Sequence, residues 1–201
     1  MRCSHTGILS MTLAGMLLSP QALALSIGLS GSGSSNNGGL EHSTTSSGTL
    51  SISTELGSYL RIGISTRKAF EKVRGLKYDD SSNSYFNFRA DRETTIHSLN
   101  MTVILYNGIV SPYVFGGIAN KYYESKATYD LAQSITVTSK STLKGVPTYG
   151  FGAAIFLNRQ FNLKISQTYI PGEKTTLGPT GEEEAEDVID HYTQIGITYK
   201  L

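Results

Sequence analysis

Three residues have the types of a hydrolytic set: His42 as base, Asp80 to orient it and Ser81 as nucleophile. Such a set works only when the imidazole reaches the hydroxyl and the carboxylate holds the imidazole in one tautomer. Nothing in the spacing enforces that geometry here, and Ser and Asp are common in polar connections, so the three are weak candidates. A second chemistry is suggested by Glu182, Glu183, Glu184, Glu186, Asp187 and Asp190. Clustered carboxylate oxygens suit Ca²⁺ or Mg²⁺, with Glu182, Glu183, Glu184 and Asp187 as the weak candidate ligands. The run lacks the spacing of an EF-hand, and a solvated acidic loop is the simpler reading. A third group interleaves cations and rings: Lys72, Arg74, Lys77, Tyr78, Tyr85, Phe86, Arg89 and Arg92. It suits phosphate groups or a partner surface.

The elements that must position these groups follow from alternation. From Ile189 to Leu201, Thr193, Ile195, Ile197, Tyr199 and Leu201 share one face, opposite Tyr192, Gln194, Gly196, Thr198 and Lys200. A period of two is the signature of a strand with one apolar face. It recurs at 161–169, at 149–157, at 94–106 (Leu99, Met101, Val103, Leu105), at 60–65, at 50–56 and at 25–30. A strand over about 111–128 is also expected, although its facing is ambiguous because Tyr113, Val114 and Phe115 are adjacent. The result is eight strands.

The predicted connections alternate in length. Short turns fall near Gly57, Asn107 and Asn158, and long polar loops are expected over about 32–47, 71–93, 129–145 and 172–188. In an up-and-down barrel this puts all short turns on one rim and four long loops on the other, the asymmetry of barrels that cross a membrane. The polar faces then point inward, carrying Glu55, Arg61, Arg67, Asn100, Lys164, Gln194 and Lys200. Eight strands leave an interior just wide enough for side chains. Glu55 and Arg61 flank the tight turn at Gly57, so an inward ion pair is expected there, because a buried charge needs a partner.

The remaining sequence fits an exported chain. Arg2, the apolar stretch from Gly7 to Leu18 and Ala22-Leu23-Ala24 read as a secretory signal over 1–24 with cleavage after Ala24, leaving 25–201 as the barrel domain. The single cysteine, Cys3, lies in that signal, so no disulfide or thiolate site is expected in the mature chain. Lys plus Arg is 17 and Asp plus Glu 16, which gives no basic excess for nucleic acid. Beyond residue 24 there is no apolar run of 18 residues to form a membrane helix. An exported barrel with its apolar residues inside, like a lipocalin, is the soluble alternative.

The segment Tyr192-Thr193-Gln194-Ile195-Gly196-Ile197-Thr198-Tyr199-Lys200-Leu201 resembles the closing strand of bacterial outer-membrane barrels, in which alternating hydrophobics lead to a terminal aromatic. Ile195, Ile197 and Tyr199 match that insertion signal, and Leu201 stands where the family usually has Phe. Pro112-Tyr113-Val114-Phe115-Gly116-Gly117 is similar to a strand start in small members of the OmpA, OmpX and opacity type. The resemblance implies the outer membrane of a Gram-negative-type bacterium, export by the general secretory route and handling by the barrel-assembly machinery. It further implies outer-membrane lipids and lipopolysaccharide as neighbours, a host or cell-surface ligand, and a monomer with no cofactor and no nucleic acid. The role it implies is structural, adhesive or in surface interaction, porin-like in architecture. A lipid A-modifying enzyme and a narrow channel or small-ligand binder are the alternatives.

Overall fold

A computed structural model describes residues 24–79, 84–130, 134–177 and 183–201, with backbone alone at 79, 84, 173–177 and 183–188. Of the predicted signal, all but Ala24 lies outside the described residues. The chain forms β1 (Leu25–Gly38), β2 (Glu41–Leu56), β3 (Leu60–Asp79), β4 (Ser84–Ile104), β5 (Val110–Asp130), β6 (Ser134–Phe156), β7 (Phe161–Leu177) and β8 (Glu183–Lys200). Each strand pairs antiparallel with its neighbour in sequence, and β8 returns to β1, so the ring is closed.

Closure is confined to the rim that carries the short turns. β1 and β8 pair from Ser26↔Lys200 to Gly31↔Ile195, and β6 and β7 from Phe156↔Asn162 to Tyr149↔Tyr169. Beyond those points the ring opens into a sheet of β1 to β6 and a separate β7–β8 hairpin. A bulge between Ala119 and Lys121 bends β5–β6 near the parting. There Gly145, at φ +67°, donates its N–H to Asn120 Oδ1 at 3.0 Å.

The short turns at residues 57–59, 105–109 and 157–160 lie together on this rim. The connections expected as long loops are a correction to the sequence reading. β1 and β2 stay paired up to Gly38↔Glu41 and turn through Gly39, at φ +53°, and Leu40. Likewise β3–β4 pair as far as Asp79↔Ser84, β5–β6 as far as Asp130↔Ser134, and β7–β8 as far as Leu177↔Glu183. Most of 32–47, 71–93, 129–145 and 172–188 is therefore strand. Backbone pairing needs no apolar face, and the Ser, Thr, Gly and charged residues of these stretches obscure any period-two pattern.

The two faces of the ring differ sharply. Outside stand Leu29, Ile64, Leu99, Met101, Ile118, Phe151, Ile195 and Ile197, all exposed, with Leu29 at 65 % and Ile195 at 58 %. This apolar belt is bordered at the turn rim by Tyr59, Tyr106 and a Phe161–Tyr199 ring pair at 5.0 Å. At its other border lie a His97–Tyr122 pair at 5.7 Å and a stacked Tyr149–Tyr169 pair at 5.7 Å. On β5 the ambiguity resolves with Tyr113 and Phe115 inward and Val114 and Ile118 outward. Gly150 and Gly152 make room for those two rings. A Cβ at Gly150 would come within 2.5 Å of the Phe115 ring, and one at Gly152 within 2.6 Å of the Tyr113 ring.

Candidate functional site: the barrel interior

The interior is built in layers. At the turn rim the two-residue offset about Gly57 sets Glu55 opposite Arg61. Arg61 donates from Nη2 to Glu55 Oε1 at 2.8 Å, and Lys200 donates from Nζ to Glu55 Oε2 at 2.6 Å. One carboxylate on β2 thus serves two cations, from β3 and β8. Arg61 is 6 % exposed, so this pairing is set in a medium where an unmatched charge is costly.

Next comes a cavity of about 150 Å³. Arg61, Arg67, Asn100, Lys164 and Gln194 line it, with Tyr113, Tyr192 and several Ser and Thr hydroxyls. The guanidinium of Arg67 lies 3.8 Å from the centroid of the Tyr192 ring, a cation–π contact, and Gln194 donates to Thr49. Asn100 donates from Nδ2 to Ser98 at 2.9 Å.

Above the cavity Ile96, Ala119 and Ile170 pack together with Val146 and Tyr192. Two ion pairs follow, Lys121 with Asp190 and Arg92 with Glu71 at 3.2 Å. A second apolar cluster, Val73, Phe88, Ala90 and Tyr129 with Phe86, packs on the β3–β5 sheet beyond the parting of the ring. The interior is therefore polar and charged near the turn rim and capped by an apolar layer further in.

The other sequence candidates are placed apart from this site. His42 lies near the far end of β2, exposed, with Nδ1 against Asn37 and Nε2 3.4 Å from the Thr44 hydroxyl. Asp80 and Ser81 lie outside the described residues, as does Glu182. The side chains of Glu183, Glu184 and Asp187 also lie outside what is described, and their backbone belongs to β8. Among the described residues no three His, Cys, Asp or Glu side chains converge to hold a metal. Ile195 and Ile197 face outward, Tyr199 packs on Phe161, and Leu201 is exposed with its N–H donating to Leu25 O at 2.9 Å.

The basic and aromatic run of β3–β4 divides between the faces. Lys72, Arg74 and Arg89 are exposed outside, whereas Arg92 pairs inward and Lys77 lies over the Phe88 ring at 4.8 Å. Sequence reading missed Lys121 with Asp190, because Asp190 lay in an acidic run expected as loop. It also missed the layer of Ile96, Ala119 and Ile170, because Ile170 on β7 meets the β4 and β5 residues only once the ring has closed.

A closed ring of eight antiparallel strands, apolar outside and charged within, has the architecture of small outer-membrane barrels. Among solved structures the chain is similar to a major outer membrane protein from Thermus thermophilus, at 13 % identity and TM-score 0.56 over 90 % of this chain and 100 % of that one. It is also similar to the N-terminal β-barrel domain of Pseudomonas aeruginosa OprF (14 %, TM-score 0.45) and to Ail, the attachment invasion locus protein of Yersinia pestis (15 %, TM-score 0.46), each over 89 % of this chain and 97 % of the other. At such identities the likeness is one of fold, and the Thermus protein carries it. No family model matches the chain, and no curated protein matches it in sequence.

Proposed function

We propose that the chain is exported, loses residues 1–24 and resides in a Gram-negative-type outer membrane as a sealed barrel with a structural, adhesive or surface-interaction role. The observation that carries this reading is the belt of exposed Leu, Ile, Val, Met and Phe around the closed part of the ring, between two aromatic borders. Monomeric soluble proteins rarely expose contiguous apolar patches beyond a few hundred Å². In hydrocarbon such a belt is favourable, and the closed ring leaves no backbone group unpaired within it. The stretch from Phe161 to Tyr169 matches the roughly 9–11 residues that a tilted strand needs to cross.

The hairpins beyond the belt supply the surface role. Arg74 and Arg89 stand directly opposite each other on β3 and β4, both exposed and without an ion-pair partner among the described residues. Like charges so placed repel unless an anion lies between them, which favours phosphate-bearing lipopolysaccharide beside that face. The closing strand β8, with Ile195, Ile197, Tyr199 and Leu201 outward, is the segment offered to the assembly machinery.

The test is fractionation with gel migration. The protein should sediment with outer membranes and migrate faster unheated than boiled, because the closed barrel resists detergent. Recovery in the soluble periplasmic fraction, with one mobility before and after boiling, would overturn the proposal. The adhesive role is tested separately, by deleting the β3–β4 hairpin beyond Lys72. Cell binding should fall, and unchanged binding would remove adhesion from the reading.

A further inference from the structure

The interior cavity has a charge composition that the ion pairs do not balance. Three cations line it, Arg61, Arg67 and Lys164, and among its described lining residues there is no carboxylate. The nearest acid at the rim, Glu55, is already shared between Arg61 and Lys200. On the other side Asp190 is engaged by Lys121. Arg67, 8 % exposed, packs on a ring face, and its Nε finds no acceptor. The Nε of Arg61 is likewise buried without an acceptor. Among the described residues Lys164 forms no ion pair of its own, and the acid within its electrostatic reach is Glu55, which Arg61 and Lys200 already share.

The remaining lining is rich in donors. Ser51, Ser65, Thr148 and Thr168 carry hydroxyls, and Gln194 carries an amide. Isolated cations inside a barrel are strongly unfavourable unless an anion or its equivalent offsets them. Guanidinium groups present paired N–H donors that match two oxygens at once, whereas an ammonium acts as a point charge. Two forks, one ammonium and a ring of hydroxyls are the donor set of a tetrahedral oxyanion.

We propose that the cavity is a binding site for one small inorganic oxyanion of the phosphate and sulfate class. Arg67 and Lys164 are its principal cationic contacts, with Arg61 bridging it to Glu55. The volume of about 150 Å³ admits such an ion with water around it. Ile96, Ala119, Ile170 and Tyr192 seal the far side, so exchange runs through the turn rim, where Glu55 and Lys200 are partly exposed. The site depends on the charged interior alone and does not require that the outer hairpins bind anything.

The test is isothermal titration of the refolded, detergent-held barrel with inorganic phosphate, with sulfate and with chloride at matched ionic strength. Phosphate or sulfate should bind saturably at one site per chain, and chloride should bind at least about ten-fold more weakly, because it cannot engage two forks. Arg67→Gln and Lys164→Met should each weaken oxyanion affinity by about ten-fold or more. Lys140→Gln, on the exposed β5–β6 hairpin where Lys140 pairs with Glu124, should leave it unchanged. No saturable binding, equal binding of chloride, or affinity unaltered in both interior variants would overturn the site.

Each variant is first checked for heat-modifiable migration, which separates a lost site from a lost fold. A measurement on the unaltered protein stands beside it, using crystals soaked in selenate. An anomalous peak between Arg67 and Lys164 supports the site, and selenate bound only on the exterior counts against it.

Discussion

Glu55 sits between Arg61 and Lys200 at the turn rim, and its removal leaves two cations facing each other in a partly dry space. Breaking a buried pair by deleting one partner costs more than the pair itself contributed. Glu55→Gln should therefore lower the unfolding free energy by about 2–4 kcal/mol, read from the urea midpoint of the folded barrel in lipid vesicles. An unchanged midpoint would mean that water already solvates these groups. Gly152 gives a second residue-scale test, since its face is occupied by the Tyr113 ring. Gly152→Leu should cost about 1–3 kcal/mol through overpacking and slow refolding in the same assay, whereas Gly116→Ala, with its nearest neighbour 3.9 Å away, should not. At this scale the nearness of Glu55 and Arg61 was legible, because a tight turn fixes their register. Lys200 and the Arg67–Tyr192 contact were not, because they depend on which strands meet across the ring.

The strands themselves were legible where one face is apolar and the other is not. β4, β7 and β8 announce their alternation, since a belt outside and a polar interior impose a period of two. β5 did not, because Tyr113 and Phe115 inside are as apolar as Val114 outside. The ribbons beyond the belt were read as loops for a related reason: in β1–β2 Ser, Thr and Gly occupy both faces, and in β3–β4 charges interrupt the apolar face that Val73, Phe88 and Ala90 form. Depth along β8 gives the element-scale prediction. Ile197 lies in the belt, and Ile189 lies beyond the Tyr169–His191 pair. Ile197→Arg should cost about 2–4 kcal/mol and Ile189→Arg at most about 1, measured by unfolding from vesicles. Equal costs would place both residues in the same medium.

For the molecule as a whole, the apolar layer above the cavity decides what the barrel can pass. Ile96, Ala119 and Ile170 close that level, whereas Val73, Phe88, Ala90 and Tyr129 pack on the open β3–β5 sheet beyond it. Planar-bilayer recordings should show no ion current above baseline. Steady conductance from the unaltered protein would contradict the layered interior. Whole-molecule closure was legible as a class of fold, from the strand count and the one apolar face of most strands. That the ring parts above Gly31 and Tyr149 was not, because it arises from where pairing stops rather than from any residue pattern.

A membrane barrel of this kind requires the apolar face to be the outer one. A cysteine scan with spin labels along β4 and β8, in a chain whose own Cys3 is removed with the signal or replaced, tests this directly in reconstituted vesicles. Labels at positions 99, 101, 103, 195 and 197 should be relaxed by oxygen dissolved in lipid and protected from a water-soluble nickel chelate, while labels at 100, 102 and 196 should be shielded from oxygen. The reverse alternation, with 100 and 102 at the surface and 99 and 101 hidden, would contradict it.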